Sequence, residues 1–344
     1  MKYIAYIVKG LENICSKELS SLTNLNILEK SSKHIIFEYN LESENLLKLK
    51  TIDDIGILLS DFTLEDFTNS NFSKILNIND VKANLIPFLS SFRSVLKSFS
   101  ITLSIYKVNL KDKESLINDF TKYISESLGY EYTKLDHSNL DFRLNIEEEK
   151  CLLSLKLNSV SLFKRSYSHT SLPGGIRSTI ASGMITVLLT KSSHNSKLKL
   201  VDSFCGSGTF LCEALSYDLD VNGGDINKEA VDITKQNLSK LGVIKSQVFN
   251  QNAIKTNFKD EYFDIAVSNF PWDKQIQIKN TSLLYDQSIK EYSRIVKKEG
   301  SLGFIGYKPE LITKYIKKYF PTHKIEEIKI GYLGQTPSIV FAYK

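Results

Sequence analysis

Short apolar runs alternate with longer amphipathic stretches through the second half of the chain, and this rhythm limits the possible folds more than any other feature. The runs LKLVD (198–202), DVNGGDI (220–226) and FDIAVSN (263–269) are typical of buried strands. The stretches 210–216 and 228–241 have a helical period. Strands and helices that alternate in this way form a parallel sheet with helices on both faces.

The same pattern continues to residue 344. The further predicted strands are SQVFN (246–250), SLGFIG (301–306), EEIKIGYL (326–333) and SIVFAYK (338–344), and the further predicted helices are 284–297 and 309–318. Only a short turn separates the last two strands, which predicts a final hairpin with an antiparallel edge strand. We therefore expect residues 165–344 to form a doubly wound sheet of seven strands.

The first half of the chain has a different organisation. Its predicted strands are KYIAYIV (2–8), HIIFEY (34–39), SFSITLSIY (98–106), DFRLNI (141–146) and CLLSLKL (151–157). A helix is expected after Gly10, short helices over 60–95, and a longer helix over 114–128. The β-α-β start runs to about residue 60, and 98–162 forms a small α/β unit of its own.

The composition is that of an ordinary globular protein and excludes several classes. Hydrophobic residues make up 42% and charged residues 24% of the 344 residues. No apolar run approaches the ~18 residues that a membrane span needs. Lys9 and Glu12 interrupt the apolar start, which excludes a signal peptide. We therefore expect a cytoplasmic protein with no membrane partner.

Charge and cysteine usage add two further expectations. The four cysteines are Cys15, Cys151, Cys205 and Cys212. They form no CxxC pair, which indicates free thiols, and no ligand cluster suggests a metal. The net charge of +5 permits a nucleic-acid partner without requiring one.

A glycine-containing turn, VDSFCGSGTFLCEA (201–214), joins the strand at 198–202 to the helix that follows it. Open α/β sheets bind nucleotides at this position. Gly206 and Gly208 allow a sharp turn and a close approach to a ligand. The third glycine of GxGxxG and the GK[ST] of a P-loop are both absent, which disfavours dehydrogenase and P-loop readings.

Four successive strand tips place polar side chains at one edge of the predicted sheet. Asp202 ends the first strand, and Asp225 ends the second, about 20 residues beyond the turn, where an acid suits ribose hydroxyls. Asn252 follows the third strand, and Asn269 ends the fourth. Because the carboxyl ends of parallel strands meet at one edge, we expect these groups to share a crevice.

These segments resemble class I RNA methyltransferases that are joined to a THUMP domain. DSFCGSGTFLCEA is similar to D-P-x-C-G-S-G-T-F-x-x-E-A, and SNFPWDKQ (268–275) is similar to N-[LP]-P-[FYW]-G. YIVKGLENICSKEL resembles the G-L-E segment near the N-terminus of that family, and RSTIASGMI (177–185) resembles its R-x-T-L-A-A helix. The similarity spans nearly the whole chain.

The resemblance implies a fold class and three domains. Residues 1–60 would form a ferredoxin-like domain, 61–164 a THUMP-like RNA-binding domain, and 165–344 a Rossmann-like class I methyltransferase domain. The implied activity is N2-methylguanosine formation in the acceptor-stem region of transfer RNA, by in-line methyl transfer to a flipped guanine. The implied partner is RNA, and we expect a monomer.

The resemblance also implies that S-adenosylmethionine lies across the strand tips. The implied cofactor-binding residues are Thr179, Asp202, Phe204, Cys205, Gly206, Ser207, Gly208, Thr209, Asp225, Ile226, Asn252, Ala253 and Asn269. Asn252 stands where an Asp is common in the family, and an amide can still accept a hydrogen bond there.

The implied catalytic residues are Asn269, Phe270, Pro271 and Trp272. The amine of guanine is a poor nucleophile, and two acceptors, Asn269 Oδ1 and the Phe270 carbonyl, could orient it. Pro271 has no N–H to intrude, and Trp272 would stack on the base. Asp273 stands where the family has Gly, which adds charge beside the catalytic turn.

Basic residues of the N-terminal half and of the connection are candidates for RNA contacts. They are Lys107, Lys111, Lys113, Lys122, Lys164 and Arg165. The stretch LDHSNLDF (135–142) resembles an acidic-aliphatic segment of the family, and we expect a structural role for His137 within it.

Two alternatives remain open. One keeps the enzyme and changes its substrate to ribosomal RNA, or to adenine N6 in DNA, although the THUMP-like half argues against DNA. The other is an RNA-binding protein whose methyltransferase domain is inactive, an alternative that Asp273 and Asn252 keep open.

Overall fold

The computed structural model describes residues 1–41, 43–91, 97–108, 110, 112–134, 140–168, 172–191, 197–271 and 280–344. The predictions for Lys111, His137, Trp272 and Asp273 lie outside the described residues. Contacts divide the chain into two compact units. Unit 1 comprises Met1–Tyr6, Leu19–Leu49 and Asp53–Leu162, and unit 2 comprises Ile7–Glu18, Lys50–Ile52 and Phe163–Lys344.

Unit 1 contains one sheet of eight strands in the order β2-β3-β1-β4-β8-β7-β5-β6. Its strands are β1 (Lys2–Tyr6), β2 (Leu25–Lys30), β3 (His34–Tyr39), β4 (Asp54–Thr63), β5 (Ser98–Tyr106), β6 (Glu131–Tyr132), β7 (Leu140–Glu147) and β8 (Lys150–Lys156). Most neighbouring strands pair antiparallel, while β5 pairs parallel with β6 and β7. The sheet takes strands from both 1–60 and 61–164, and the ferredoxin-like and THUMP-like assignments stay predictions.

The helices of unit 1 are mostly short. They are a 3-10 turn (Ser43–Lys48), α2 (Leu64–Thr68), α3 (Phe72–Ile75), α4 (Ile78–Asp80), a π turn (Val81–Leu85), α5 (Ile86–Ser90) and α6 (Lys113–Leu128); α1 (Glu12–Ser20) begins in unit 2. Burial alternates along β7, so one face is packed and the other is partly open to solvent. The short helices expected over 60–95 are confirmed, whereas β2 and β4 were not predicted.

Unit 2 contains a seven-stranded sheet in the order β11-β10-β9-β12-β13-β15-β14. Its elements are α7 (Ser178–Lys191), β9 (Lys199–Asp202), α8 (Thr209–Leu215), β10 (Asp220–Asp225), α9 (Lys228–Lys240), β11 (Gln247–Asn250), β12 (Phe263–Asn269), α10 (Thr281–Ile295), β13 (Val296–Gly306), α11 (Pro309–Tyr319), β14 (Lys324–Lys329) and β15 (Ser338–Tyr343). The predicted α/β class and strand count are confirmed. In the described residues, no helix is long and apolar enough to cross a bilayer.

The position of the antiparallel strand within the final hairpin differs from the prediction. We expected an antiparallel strand at the edge, but β15 lies inside the sheet and pairs antiparallel with both β13 and β14. All six residues of β15 are buried, which requires a neighbour on each side, whereas β14 is only partly buried and suits an edge. The predicted strand 326–333 also stops at Lys329, before a tight turn that pairs Tyr332 with Gln335.

The strand order brings the predicted site residues to one edge. β9 pairs parallel with β10 on one side and with β12 on the other, so the reversal of strand order falls between the first and fourth strands. A ligand crevice opens at such a reversal, beyond the carboxyl ends of the strands. Asp202 and Asn269 end the two adjacent strands at this point.

A buried ion pair fixes α8 against the segment that precedes α7. The Glu213 side chain is 4% exposed and accepts hydrogen bonds from Arg165 Nε at 3.0 Å and from Tyr167 Oη at 2.7 Å. Ser182 Oγ also donates to this carboxylate. Arg165 Nη2 in turn donates to the Lys50 carbonyl at 2.7 Å. We call Arg165, Tyr167, Ser182 and Glu213 the Glu213 clamp.

Removal of the Glu213 carboxylate should destabilise the protein strongly. Glu213→Ala leaves the Arg165 guanidinium largely buried without its counter-ion, a change that costs about 3 kcal/mol or more. Urea unfolding followed by circular dichroism should show this loss. The matched change Glu229→Ala, at an exposed position of α9, should cost about 0.5 kcal/mol. Equal unfolding midpoints for the two variants would contradict the structural role of the clamp.

Candidate active site

A cavity of about 630 Å³ lies at the carboxyl ends of β9, β10 and β12. Most of the predicted cofactor and catalytic residues line it: Asp202, Phe204, Cys205, Gly206, Ser207, Thr209, Asp225, Ile226, Asn252, Ala253, Asn269, Phe270 and Pro271. Gly208 and Thr179 are not among the lining residues, and Thr179 is fully buried. The structure therefore brings together residues from all four predicted strand tips.

The turn between β9 and α8 has a backbone that favours glycine. Gly206 and Gly208 have φ values of +53° and +83°. A Cβ on Gly208 would lie 2.7 Å from Thr234 Cγ2 on α9. Thr234 Oγ1 donates to the Gly206 carbonyl at 2.7 Å, and Asn237 Nδ2 donates to the Ser207 carbonyl at 2.9 Å. Two side chains of α9, which sequence reasoning missed, thus hold the turn in place.

Asp202 is a buried carboxyl at the end of β9. Its Oδ1 accepts hydrogen bonds from Ser268 Oγ at 2.7 Å and from the Phe204 amide at 3.0 Å. Burial raises the pKa of Asp202 to about 7, although these two hydrogen bonds oppose the rise. A positively charged ligand beside this carboxyl would favour its ionised form.

Asp225 lies at the end of β10 and helps to shape the same turn. Its carboxylate accepts hydrogen bonds from the Gly206 amide at 3.0 Å and from the Asn227 amide at 2.9 Å. A carboxylate offers about four acceptor sites, so it can take ligand hydroxyls in addition. The neighbouring Ile226 is 72% exposed, which places an apolar surface at the cavity wall.

The segment after β11 is held by its own turn. Asn252 Oδ1 accepts a hydrogen bond from the Ile254 amide at 3.2 Å, and Asn252 bridges to Lys255. Ala253 is buried beside it, while Asn252 is exposed. The side-chain oxygen of Asn252 is therefore used in part by the local turn.

Asn269 combines a fixed amide with an unused acceptor. Its Nδ2 donates to the Gly174 carbonyl at 2.8 Å. Its Oδ1 is buried and accepts no hydrogen bond within the part of the chain that the structure describes. Because buried polar atoms are normally paired, an acceptor without a described partner on a residue of the cavity lining suggests a ligand donor.

Phe270 and Pro271 continue from Asn269 along the cavity. The Phe270 ring is fully buried and packs 4.5 Å from Tyr285 and 5.3 Å from Phe204, measured between ring centroids. The Phe270 amide donates to the Ile305 carbonyl at 3.0 Å, which continues the pairing of β12 with β13. The Phe270 side chain therefore belongs to the core.

A Pro-Gly-Gly loop completes the cavity and was missed at the level of sequence. Residues 172–176 line it, and their carbonyls at Gly174 and Gly175 accept hydrogen bonds from Asn269 and from Tyr332 Oη, the latter at 3.1 Å. The dipeptides P-G and G-G in LPGG mark a turn, which was the available signal.

The described residues predicted to bind RNA divide between the two units. In unit 1, Lys107 pairs with Glu148 at 3.1 Å and Lys122 with Glu126 at 3.9 Å, while Lys113 is exposed. In unit 2, Lys164 is exposed, and Arg165 belongs to the Glu213 clamp. We leave Arg165 out of the proposed RNA contacts, since Glu213 and a backbone carbonyl occupy its guanidinium. No group of three or more potential metal ligands occurs among the described residues.

The chain is similar to known methyltransferases in sequence. A family model described as UPF0020, RMKL-like, methyltransferase domain, matches residues 165–337. The chain is 23% identical over 228 residues to the ribosomal RNA large subunit methyltransferase K/L of Vibrio cholerae, which covers 65% of this chain and 30% of that protein. The chain spans less than a third of the length of the curated relatives it matches.

Solved structures share the fold over the full length. The structure of TrmN from Thermus thermophilus superposes with a TM-score of 0.80 at 16% identity and covers 100% of this chain and 99% of that one. The structure of SMU.472 complexed with SAH superposes with a TM-score of 0.72 at 17% identity and covers 99% of this chain and 97% of that one.

The raised pKa of Asp202 predicts a pH-dependent affinity for S-adenosylmethionine, which carries positive charge. The pKa of Asp202 is about 7, so the carboxyl is mostly protonated when the pH is below this value. It must then lose a proton to attract the ligand. The dissociation constant should therefore fall between pH 6 and pH 8, by about tenfold for one linked proton, and level off above pH 8. Isothermal titration calorimetry across this range measures it.

Two variants test the assignment to Asp202. Asp202→Asn should bind more weakly at pH 8 and should lose the pH dependence. Asp232→Asn, at an exposed position on α9, should keep it. A slope that survives in Asp202→Asn would assign the linked proton to another group.

Proposed function

The chain belongs to the UPF0020 family of RMKL-like methyltransferase domains, and from this membership we propose that it methylates the exocyclic N2 of guanine in RNA, with transfer RNA as the first substrate. The cofactor of this methyltransferase class is S-adenosylmethionine. We include a cytoplasmic location, a monomeric state and a THUMP-like role of residues 61–164 in the proposal.

One observation carries the proposal for the amine: Asn269 lines the cavity, and its buried Oδ1 accepts no hydrogen bond from the described residues. The hydrogen bond from Asn269 Nδ2 to Gly174 fixes the amide, so Oδ1 is held as an acceptor. An exocyclic NH₂ carries two donors that need such acceptors. The backbone carbonyl of Phe270, next in the chain, is the second acceptor that we propose.

The residues of the cavity fit S-adenosylmethionine. Two carboxyl groups, on Asp202 and Asp225, face a ligand that carries positive charge and ribose hydroxyls. The exposed Ile226 offers an apolar surface to the adenine ring, and Asn252 lies near it on the wall. Residues 204–209 present the turn to the methionine end. A volume of about 630 Å³ is in the range of small-molecule and cofactor sites.

The proposed mechanism rests on orientation more than on acid–base chemistry. S-adenosylmethionine supplies an electrophilic methyl group. The lone pair of guanine N2 is delocalised into the ring, and Asn269 Oδ1 and the Phe270 carbonyl would hold both N–H bonds so that the lone pair faces the methyl donor. The same acceptors would stabilise positive charge as it develops on the nitrogen, which would then lose one of its protons to solvent. Holding the two reactants in line lowers the entropic part of the activation barrier.

The substrate RNA would present its target base outside the helix. A base inside a duplex cannot reach a cavity at the carboxyl ends of β-strands, so it must flip out. The stacking role predicted for Trp272 falls on a residue outside the described part of the chain and stays a prediction. The motif similarity to guanine-N2 enzymes of transfer RNA favours that substrate.

Ribosomal RNA is the second candidate. The methyltransferase K/L proteins, matched over 65% of this chain in Vibrio cholerae, are named for ribosomal RNA of the large subunit. An inactive RNA-binding protein remains the third reading, because Asp273 stands in place of a Gly in the motif.

The proposal predicts a selective loss of chemistry in Asn269→Ala. Wild-type protein incubated with labelled S-adenosylmethionine and unmodified total transfer RNA should yield labelled N2-methylguanosine after digestion to nucleosides. Asn269→Ala should lower kcat by about 100-fold or more, by analogy with the loss of one polar group at a developing charge. Its affinity for S-adenosylmethionine should fall much less than kcat, because Asp202, Asp225 and the turn 204–209 of the cavity are unchanged.

The matched control is Asn257→Ala, an exposed asparagine of the same unit outside the cavity, which should retain activity. Label in ribosomal RNA alone would move the substrate to the second candidate. Label at adenine would overturn the guanine assignment. Cofactor binding without label in either RNA would support the inactive reading.

A further inference from the structure

A second groove, of about 510 Å³, opens beside the cofactor cavity in unit 2. The two share part of their walls: Leu172, Gly174, Gly175, Ile176, Ser207 and Thr209. The groove alone is lined by Phe163, Lys164, Arg177, Tyr332 and Leu333, among others. We call it the side groove. The side groove therefore adjoins the cofactor cavity.

The two spaces have opposite charge. The described lining of the side groove contains two basic residues, Lys164 and Arg177, and no Asp or Glu. The described lining of the cofactor cavity contains two acids, Asp202 and Asp225, and no Lys or Arg. An acidic cavity suits a cationic cofactor, whereas a basic groove beside it suits the phosphates of a nucleic acid.

Arg177 is held in a fixed place by aromatic rings. Its guanidinium carbon lies 4.4 Å from the centroid of the Phe163 ring and 5.8 Å from that of Tyr332. Stacking of this kind limits the orientations of a guanidinium, which stays positively charged near neutral pH. Lys164, adjacent to Phe163 in sequence, is exposed at the rim of the groove.

The Pro-Gly-Gly loop links the side groove to Asn269. Consecutive carbonyls of this loop accept hydrogen bonds from Asn269 Nδ2 at Gly174 and from Tyr332 Oη at Gly175. Tyr332 lies on the groove wall against Arg177. The loop therefore connects the two sites: Gly174 contacts the Asn269 amide that we propose to orient the base, and Gly175 contacts Tyr332 of the basic groove.

We propose that the side groove binds the sugar-phosphate backbone of the RNA strand next to the methylated nucleotide, with Lys164 and Arg177 as phosphate contacts. This rests on the proposed function and adds the path of the strand and the residues that bind it. The groove would hold the flanking nucleotide while the target base enters the cofactor cavity.

The sharpest test compares Leu333→Asp with Leu333→Asn. Leu333 is 65% exposed in the groove and has a φ of +50°, a conformation that Asp and Asn both adopt readily. The two variants differ almost only in charge. We expect Leu333→Asp to bind transcribed transfer RNA or large-subunit ribosomal RNA about fivefold or more weakly than Leu333→Asn at low salt, with a smaller difference at high salt. Affinity for S-adenosylmethionine should be equal in both.

The salt dependence of binding tests Lys164. The slope of log K against log salt concentration falls by about 0.7 for each lost contact to a single-strand phosphate. Lys164→Ala should show this smaller slope, and Lys235→Ala, an exposed lysine on α9, should keep the wild-type slope. A structural defect would weaken binding without this change of slope.

The outcomes separate the two proposals. Equal RNA affinity of Leu333→Asp and Leu333→Asn, with an unchanged slope in Lys164→Ala, would overturn the groove assignment even if wild type methylates RNA. RNA binding without methyl transfer, together with the predicted differences, would support the groove and overturn the proposed activity. Failure of wild type to bind either RNA would overturn both.

Discussion

The hydrogen bond from Ser268 to Asp202 joins the two strands on which the site depends. Asp202 ends β9, from which the glycine turn departs, and Ser268 directly precedes Asn269 at the end of β12. Because these strands are parallel neighbours, their ends lie side by side and the bond, at 2.7 Å, sets their register at the tip. This contact thus joins the strand that leads into the cofactor turn to the strand that carries the proposed acceptor for the amine.

Sequence reasoning found what depends on local pattern and strand order. It placed Asp202, Asp225 and Asn269 at the strand tips, because alternating strands and helices imply a parallel sheet whose carboxyl ends meet. It missed Thr234 and Asn237, which brace the turn from α9, since nothing in their own helix indicates a partner about 30 residues earlier in the chain. It also placed the antiparallel strand at the edge of the sheet. The pairing of β15 with β13 joins strands that are not consecutive in the chain, and the local sequence pattern does not indicate it.

The separation of charge within unit 2 has a simple physical meaning. A cofactor with positive charge and an RNA with negative charge must bind side by side, and a site with mixed charges would attract each into the place of the other. Here the acids lie in the cofactor cavity, and the bases lie in the side groove. The neutral Pro-Gly-Gly loop, which contributes carbonyls at Gly174 and Gly175, forms the wall between them.

The interior position of β15 also governs how unit 2 can fold. Of the described strands β15 is the last to be synthesised, yet it fills the gap between β13 and β14, while the first segment of the unit, Ile7–Glu18, lies near the start of the chain. The Gly331 amide, for example, donates a hydrogen bond to the Lys9 carbonyl, which lies at the other end of the chain. Contacts between segments that are so distant in sequence form late and make folding slow. Until β15 inserts, the apolar edge of β13 stays unpaired, and nascent chains of this protein carry an aggregation hazard that the finished sheet removes.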